Sequence, residues 1–182
     1  MEPDIDRILL TREQIADRVK QLAAEVARTY ENNHEGLVLV TILSGAVIFL
    51  ADLIRHLPMK MKIGLITVSS YAGATTVSRG PEILQGLTTD VTGRHVLVID
   101  DILDTGKTLR LVLRELADRG PASVRTCVLL RKPDKAPPDV PAHFVGFDIQ
   151  DVFVVGYGLD YNDHYRNYPH IGVLRPELYS TA

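Results

Sequence analysis

The chain predicts an α/β fold built on a parallel sheet, and three observations carry that prediction. Leu37 to Leu43, Ile63 to Ser69, Val96 to Ile99 and Val124 to Leu130 are short, nearly unbroken apolar runs. Runs of this kind suit strands covered on both faces. Helical periods alternate with them: Ile15, Val19, Leu22 and Val26 precede the first run, and Leu109, Val112, Leu113 and Leu116 separate the third from the fourth. Glycine-bearing turns punctuate the alternation, at Ser44-Gly45, at Gly106 and at Gly120-Pro121. With 182 residues, 46% of them hydrophobic, the chain has enough material for one domain with a substantial core.

Taken in order, Thr11-Arg12-Glu13-Gln14 fits a capping box and opens a packing helix reaching about Tyr30. Leu37 to Leu43 is the first buried strand. Ser44-Gly45 breaks it ahead of a helix from about Ala46 to Leu57. A small-residue turn between strand and helix can cradle an anion, although every β-α unit has such a turn and a purely structural role stands equally. After the strand Ile63 to Ser69, Ser70-Tyr71-Ala72-Gly73 opens a segment without clear period as far as Leu84. Its length, its polar content and Arg79 suit a lid; the other reading is a surface hairpin with Ile83-Leu84 as a strand. Arg131-Lys132-Pro133 falls at the carboxyl end of Val124 to Leu130, the edge at which open α/β sheets bind ligands. From the residues alone, Lys132 is either a solvated charge or part of such a crevice. Pro133 to Pro141 reads as a rigid surface connection, followed by short strands at His143 to Phe147 and Val152 to Val155. Gly156 to Asn162 then reads as a glycine loop packing two tyrosines against the core.

The centre of the chain is V-L-V-I-D-D-I-L-D-T-G-K-T-L, Val96 to Leu109. The strand is expected to stop on Asp100 and Asp101, and Asp104-Thr105-Gly106-Lys107-Thr108 to turn into a helix. The first turn of a helix has unpartnered N–H groups and partial positive charge, so it holds phosphate well. Gly106 permits close approach, and the Thr105 and Thr108 hydroxyls add donors. Two carboxylates repel a phosphate. A ribose phosphate reconciles them, because carboxylates accept from sugar hydroxyls or reach magnesium through water. A P-loop is the rival, but its first glycine would fall at Asp101. The plainer alternative is a solvated acidic turn with Asp104 capping the helix.

Several classes of function are excluded. A net charge of -3 argues against a nucleic acid partner. The lone Cys127, in an apolar run, reads as a buried small hydrophobe. The acidic start M-E-P-D-I-D-R has no core of signal length, and no stretch approaches the roughly 20 apolar residues of a membrane span. The cytoplasm is the expected location, with no membrane partner. The histidines show no ligand spacing of the i, i+4 kind.

Val98 to Thr108 resembles the phosphoribosyl diphosphate binding motif of type I phosphoribosyltransferases: an apolar strand, two acidic residues and a D-T-G-K-T turn. F-V-V-G-Y-G-L-D-Y-N, from Phe153 to Asn162, with Arg166 at the matching distance, resembles the purine-binding segment of hypoxanthine-guanine phosphoribosyltransferases. The resemblance covers the chain from the first strand to Leu174. It implies a Rossmann-like parallel sheet with a small hood: a single domain, residues 1–182, with its core at about 35–140 and its hood from about 141–182 plus part of the amino terminus. It implies transfer of phosphoribosyl from 5-phosphoribosyl 1-diphosphate to a 6-oxopurine, with Mg2+ as cofactor and a homodimer or homotetramer as the assembly.

Carried over residue by residue, the resemblance gives Asp100 and Asp101 the ribose hydroxyls and a first magnesium. It gives Asp104 to Thr108, including Lys107, the 5'-phosphate, with the Asp104 carboxylate at purine N7 as catalytic base. Lys132 donates to O6, Phe153 stacks on the base and Val154 reads its edge. Asp160 serves a second magnesium beside the base, Ser44-Gly45 and Arg166 meet pyrophosphate, and Ser70-Tyr71 begin the flexible loop. Many members carry a basic residue where this chain has Ser44, so one pyrophosphate charge is missing there. A xanthine-preferring relative and a non-catalytic phosphoribosyl diphosphate-binding regulator remain as alternatives.

Overall fold

Parallel strands that bury both faces form the main sheet of the computed structural model, which describes residues 1–33, 36–69 and 80–179. In chain order the elements are β1 (Ile5–Leu10), α1 (Arg12–Thr29), β2 (Leu37–Leu43), α2 (Val47–Ile54), β3 (Met61–Val68) and β4 (Ile83–Gln85). β5 (His95–Leu103), α3 (Lys107–Ala117), β6 (Ser123–Arg131), β7 (Phe144–Asp148), β8 (Val154–Val155) and β9 (Ile171–Leu174) follow. The main sheet has the order β4-β3-β2-β5-β6-β7, parallel except for β4, which runs antiparallel to β3.

Alternation along the strands explains the unbroken apolar runs. Leu37, Leu39, Leu97, Ile99, Cys127 and Leu129 face one layer, with α1 and α2. Val38, Val40, Val96, Val98 and Val128 face the other, with Leu109, Val112 and Leu116 of α3. Strand side chains alternate faces, so a strand covered on both sides must be apolar at every position. The capping box of α1 is present in both directions: Gln14 N–H donates to Thr11 Oγ1 at 3.3 Å and Thr11 N–H to Gln14 Oε1 at 2.8 Å. α2 is shorter than expected, ending at Ile54. Pro58 disfavours helical geometry at the residue before it, Leu57.

Where β5 ends decides the site. The strand does not stop on the acidic pair but runs through it to Leu103. Its pairing with β2 finishes at Thr41–Ile99, while its pairing with β6 continues to Leu103–Arg131. β5 therefore leaves β2 while it stays on β6, and Asp100 and Asp101 lie on the stretch that has parted from β2.

A second, antiparallel sheet of order β1-β9-β8 joins the amino-terminal strand to the carboxyl-terminal segment. Ile5, Val155, Tyr168 and Leu174 form its own small core. The main sheet reaches beyond residue 140, where the hood was expected to begin, because β7 hydrogen-bonds to β6. Among the described residues no helix is long and apolar enough to cross a membrane.

Candidate active site

A cavity of about 850 Å³ opens at the carboxyl ends of β2, β3 and β5. Its walls include Ser44, Gly45, Asp100, Asp101 and Asp104 to Thr108 on the sheet side. Lys132, Phe153, Val154, Asp160 and Arg166 complete it. Every described residue singled out from the sequence for chemistry thus lines one space. Ser70, Tyr71 and Arg79, expected to begin and line a lid, lie outside the described residues.

On the floor, Asp100 is 5% exposed. Burial, and then the neighbouring Asp101 charge, raises its pKa well above the usual carboxylate range. Burial raises Asp101 as well. The Asp101 N–H donates to Asp100 Oδ1 at 3.1 Å and the Ile102 N–H to Asp101 Oδ1 at 2.8 Å, which fixes both carboxylates. Gly45 lies against them, and any side chain there would collide with the Asp101 carboxylate. The Leu43–Ser44 peptide is cis, and Ser44 is exposed.

α3 begins differently from the plainer expectation. Asp104 is not the cap; Gly106 is, with φ +69° and no side-chain cap on the helix. A Cβ on Gly106 would come 2.8 Å from Pro137 Cγ, so this tight turn admits only glycine without a shift. Lys107 and Thr105 are exposed and Thr108 is half-buried, beside the unpartnered amides of the first turn.

Asp104 points instead at a buried lysine. Lys132, 6% exposed, is not the solvated charge that a strand-end lysine suggests. Its Nζ lies 3.0 Å from Asp104 Oδ2 and 3.1 Å from Asp151 Oδ1. Lys135 Nζ closes the set at 2.8 Å from Asp151 Oδ2 and 3.9 Å from Asp104 Oδ1. Asp104 Oδ1 is buried with no hydrogen-bond partner among the described residues.

The hood supplies the opposite wall. Phe153, 36% exposed, stacks on Tyr179 with centroids 4.8 Å apart and meets the edge of Tyr161 at 5.7 Å. Val154 is buried, its strand paired to β9. Arg166 is held by the Gly158 carbonyl at 2.8 Å, by Asp160 at 2.9 Å and by Asp163 at 3.0 Å. Its charge is thus shared with two carboxylates.

Among the described residues no group of three or more His, Cys, Asp and Glu side chains converges on a metal position. The donors nevertheless fit magnesium. Asp100 and Asp101 are adjacent, oxygen-only ligands whose shared charge burial penalises, and a divalent cation relieves that penalty. Magnesium is commonly held by one or two carboxylates, water and substrate phosphates rather than by a full protein cage. Asp160 stands apart from the pair, in its contact with Arg166.

Sequence reasoning passed over Asp151, Lys135, Asp163 and Tyr179. Asp151 lies two positions before Phe153 and Lys135 three after Lys132, but neither pair lies within a helix or strand, so no period marked them.

The strand-end acidic pair, the phosphate-ready turn and the buried lysine define an enzyme of phosphoribosyl transfer, and comparison places it. The model of the phosphoribosyl transferase domain matches residues 7–162, and the chain belongs to that family. Within it, the chain is similar to the hypoxanthine-guanine phosphoribosyltransferases of Mycobacterium avium, at 44% identity over 97% of this chain and 89% of that one, and of Bacillus subtilis, at 40% over 100% and 99%. Among solved structures, a hypoxanthine phosphoribosyltransferase from Staphylococcus aureus superposes with a TM-score of 0.89 at 40% identity, covering 98% of this chain and 96% of that one. The Trypanosoma cruzi enzyme in complex with the product IMP gives 0.88 at 38% identity, covering 97% of each chain.

Proposed function

We propose that this protein salvages purines by transferring phosphoribosyl from 5-phosphoribosyl 1-diphosphate to hypoxanthine and guanine, giving IMP or GMP and pyrophosphate. The observation that carries the reading is the buried Lys132 ammonium against Asp104 in one cavity with the amides of α3 and the ring of Phe153. Those groups match a phosphate and a base with an acceptor at O6, and Asp100 and Asp101 in the same cavity match the sugar.

Breaking the anomeric carbon–oxygen bond develops positive charge on the ribose and negative charge on pyrophosphate. In the proposed mechanism the first turn of α3, with Thr105, Lys107 and Thr108, holds the 5'-phosphate, and Asp100 and Asp101 accept from the ribose hydroxyls. Asp104 takes the proton at purine N7 as N9 bonds to the anomeric carbon. Lys132 donates to O6. Adenine presents an amino donor at that position, so two donors would meet and adenine is rejected. Phe153 stacks on the ring and the Val154 backbone reads its edge. The Ser44-Gly45 turn and Arg166 receive pyrophosphate. Asp100 and Asp101 would hold one magnesium and Asp160 would contribute to a second; bound there, the ions neutralise the charge growing on the leaving group.

The test is nucleotide formation from phosphoribosyl diphosphate and magnesium with hypoxanthine, guanine, xanthine and adenine offered separately. The expected outcome is turnover of hypoxanthine and guanine with adenine inert. Preference for xanthine would reassign the substrate. Tight phosphoribosyl diphosphate binding without turnover of any base would make the protein a regulator on this fold.

A further inference from the structure

We propose that Asp151 is a positioning residue for the base: from behind the cavity wall it anchors the Lys132 ammonium, so that the lysine can turn from Asp104 to the incoming oxopurine without losing its counter-charge. The inference rests on the proposed reaction, in which Lys132 donates to O6.

Lys132 has three N–H donors. Two are spent, on Asp104 Oδ2 at 3.0 Å and Asp151 Oδ1 at 3.1 Å. When a base arrives, Asp104 is required at N7 and Lys132 at O6, so the contact between them is the one given up. An ammonium whose side chain is 8% exposed cannot stay charged there without an anion. Asp151 is that anion. Lys132 and Asp104 line the cavity, whereas Asp151 does not, so its carboxylate does not compete for the substrate.

The surroundings hold Asp151 in this role. Lys135, 2.8 Å from Asp151 Oδ2, keeps the carboxylate ionised, lowering its pKa further than Lys132 does. The N–H groups of Lys135 and Ala136 donate to the Lys132 carbonyl at 3.0 and 2.8 Å, which brings both lysines to one side of the turn. The Ile149 N–H donates to the Arg131 carbonyl at 2.9 Å, tying the loop that carries Asp151 to the end of β6. Asp151 is also two residues ahead of Phe153, so one short segment places both the anchor of the ammonium and the ring that stacks on the base. Exposed ion pairs usually contribute little. This one differs because its cationic partner is buried and faces the ligand.

The experiment is steady-state kinetics with hypoxanthine and phosphoribosyl diphosphate on wild type, Asp151→Asn, Asp151→Glu, Lys132→Met and the double variant of Asp151→Asn with Lys132→Met. Asp151→Asn is expected to raise the KM for hypoxanthine about tenfold while the KM for phosphoribosyl diphosphate stays within about twofold. Asp151→Glu is expected to restore most of the loss. In the Lys132→Met background, adding Asp151→Asn is expected to change kcat/KM by less than about twofold, because the residue it acts through is gone. Equal losses in both backgrounds, a rise confined to phosphoribosyl diphosphate, or no effect of Asp151→Asn on an active wild type would overturn the role of Asp151 while leaving the reaction intact. Failure of wild type itself to form nucleotide would instead overturn the reaction, and this inference with it.

Discussion

Asp100 illustrates how a single residue can be kept at a cost in stability. It is buried near the end of β5 beside a second carboxylate, and its pKa lies well above the usual range because of that burial. The folded chain then holds a proton that the unfolded chain, with a carboxyl of about 3.9, has released. The stabilisation is complete below that value and is lost as pH rises through the folded-state value, above which the ionised pair opposes folding. In the presence of a chelator, Asp100→Asn is expected to raise the melting temperature near pH 8 by about 2–4 °C, the shift that roughly 1 kcal/mol gives in a chain of this size. The gain should shrink toward pH 4, and nucleotide formation should fall by about a hundredfold or more. A variant no more stable than wild type near pH 8 would show that the charge is compensated. Asp100, Asp101 and Asp104 were legible because each sits at a strand end or turn that the apolar pattern locates, whereas Lys132 stood open to a solvated reading and Arg166 came only with the family resemblance. The partners of these last two were not legible: Asp151 and Asp163 meet Lys132 and Arg166 through loop geometry, which has no period to read.

The junction between β5 and α3 shows what an element contributes beyond its residues. A pair of carboxylates after four apolar residues looks like the end of a strand, but β5 continues because β6 still offers hydrogen-bond partners after the pairing with β2 has ended. That one-sided pairing depends on a distant strand, so a local reading ends β5 too early. The same limit hid β1, a six-residue strand whose burial is confined to Ile5 and whose partner, β9, lies at the other end of the chain. By contrast β2 was read to the residue, because every position but its last is buried. Gly106 then sets the angle at which α3 leaves the sheet. Gly106→Ala places a Cβ at φ +69° and 2.8 Å from Pro137. Left-handed geometry alone costs about 1–2 kcal/mol for a residue with a side chain. The midpoint of urea unfolding should drop accordingly, and the KM for phosphoribosyl diphosphate should rise about tenfold or more as the first-turn amides shift. An unchanged KM beside reduced stability would move the 5'-phosphate away from this turn.

Two sheets meet across the cavity, and the contacts joining them hold the turn at which pyrophosphate is proposed to leave. The loop after β8 reaches back to the β2–α2 unit. Tyr157, at φ +51°, donates its hydroxyl to Asp52 Oδ2 at 2.7 Å on α2, the helix that follows the Ser44-Gly45 turn. Gly158 lies so close to the Gly45 carbonyl that a side chain there would collide with it. The hood therefore grips that turn directly and through the helix behind it. On the far side, the Arg12 N–H donates to His170 Nδ1 at 3.0 Å, so the start of α1 is tied to the same loop system. Tyr157→Phe removes one hydrogen bond to a carboxylate, worth about 1.5–3 kcal/mol. It should lower the melting temperature by several degrees at the roughly 2–4 °C per kcal/mol expected for this chain length. Because the bond joins the hood to the core, the loss should not be uniform. Hydrogen exchange should quicken at the Tyr157 and Gly158 amides, which donate to the Tyr168 and Arg166 carbonyls at 2.7 and 2.9 Å. The amides of β5 and β6 should keep their protection. Equal acceleration everywhere would mean that the two sheets open as one cooperative unit, and Tyr157 would then be a general stabiliser rather than the link that holds the hood over the turn.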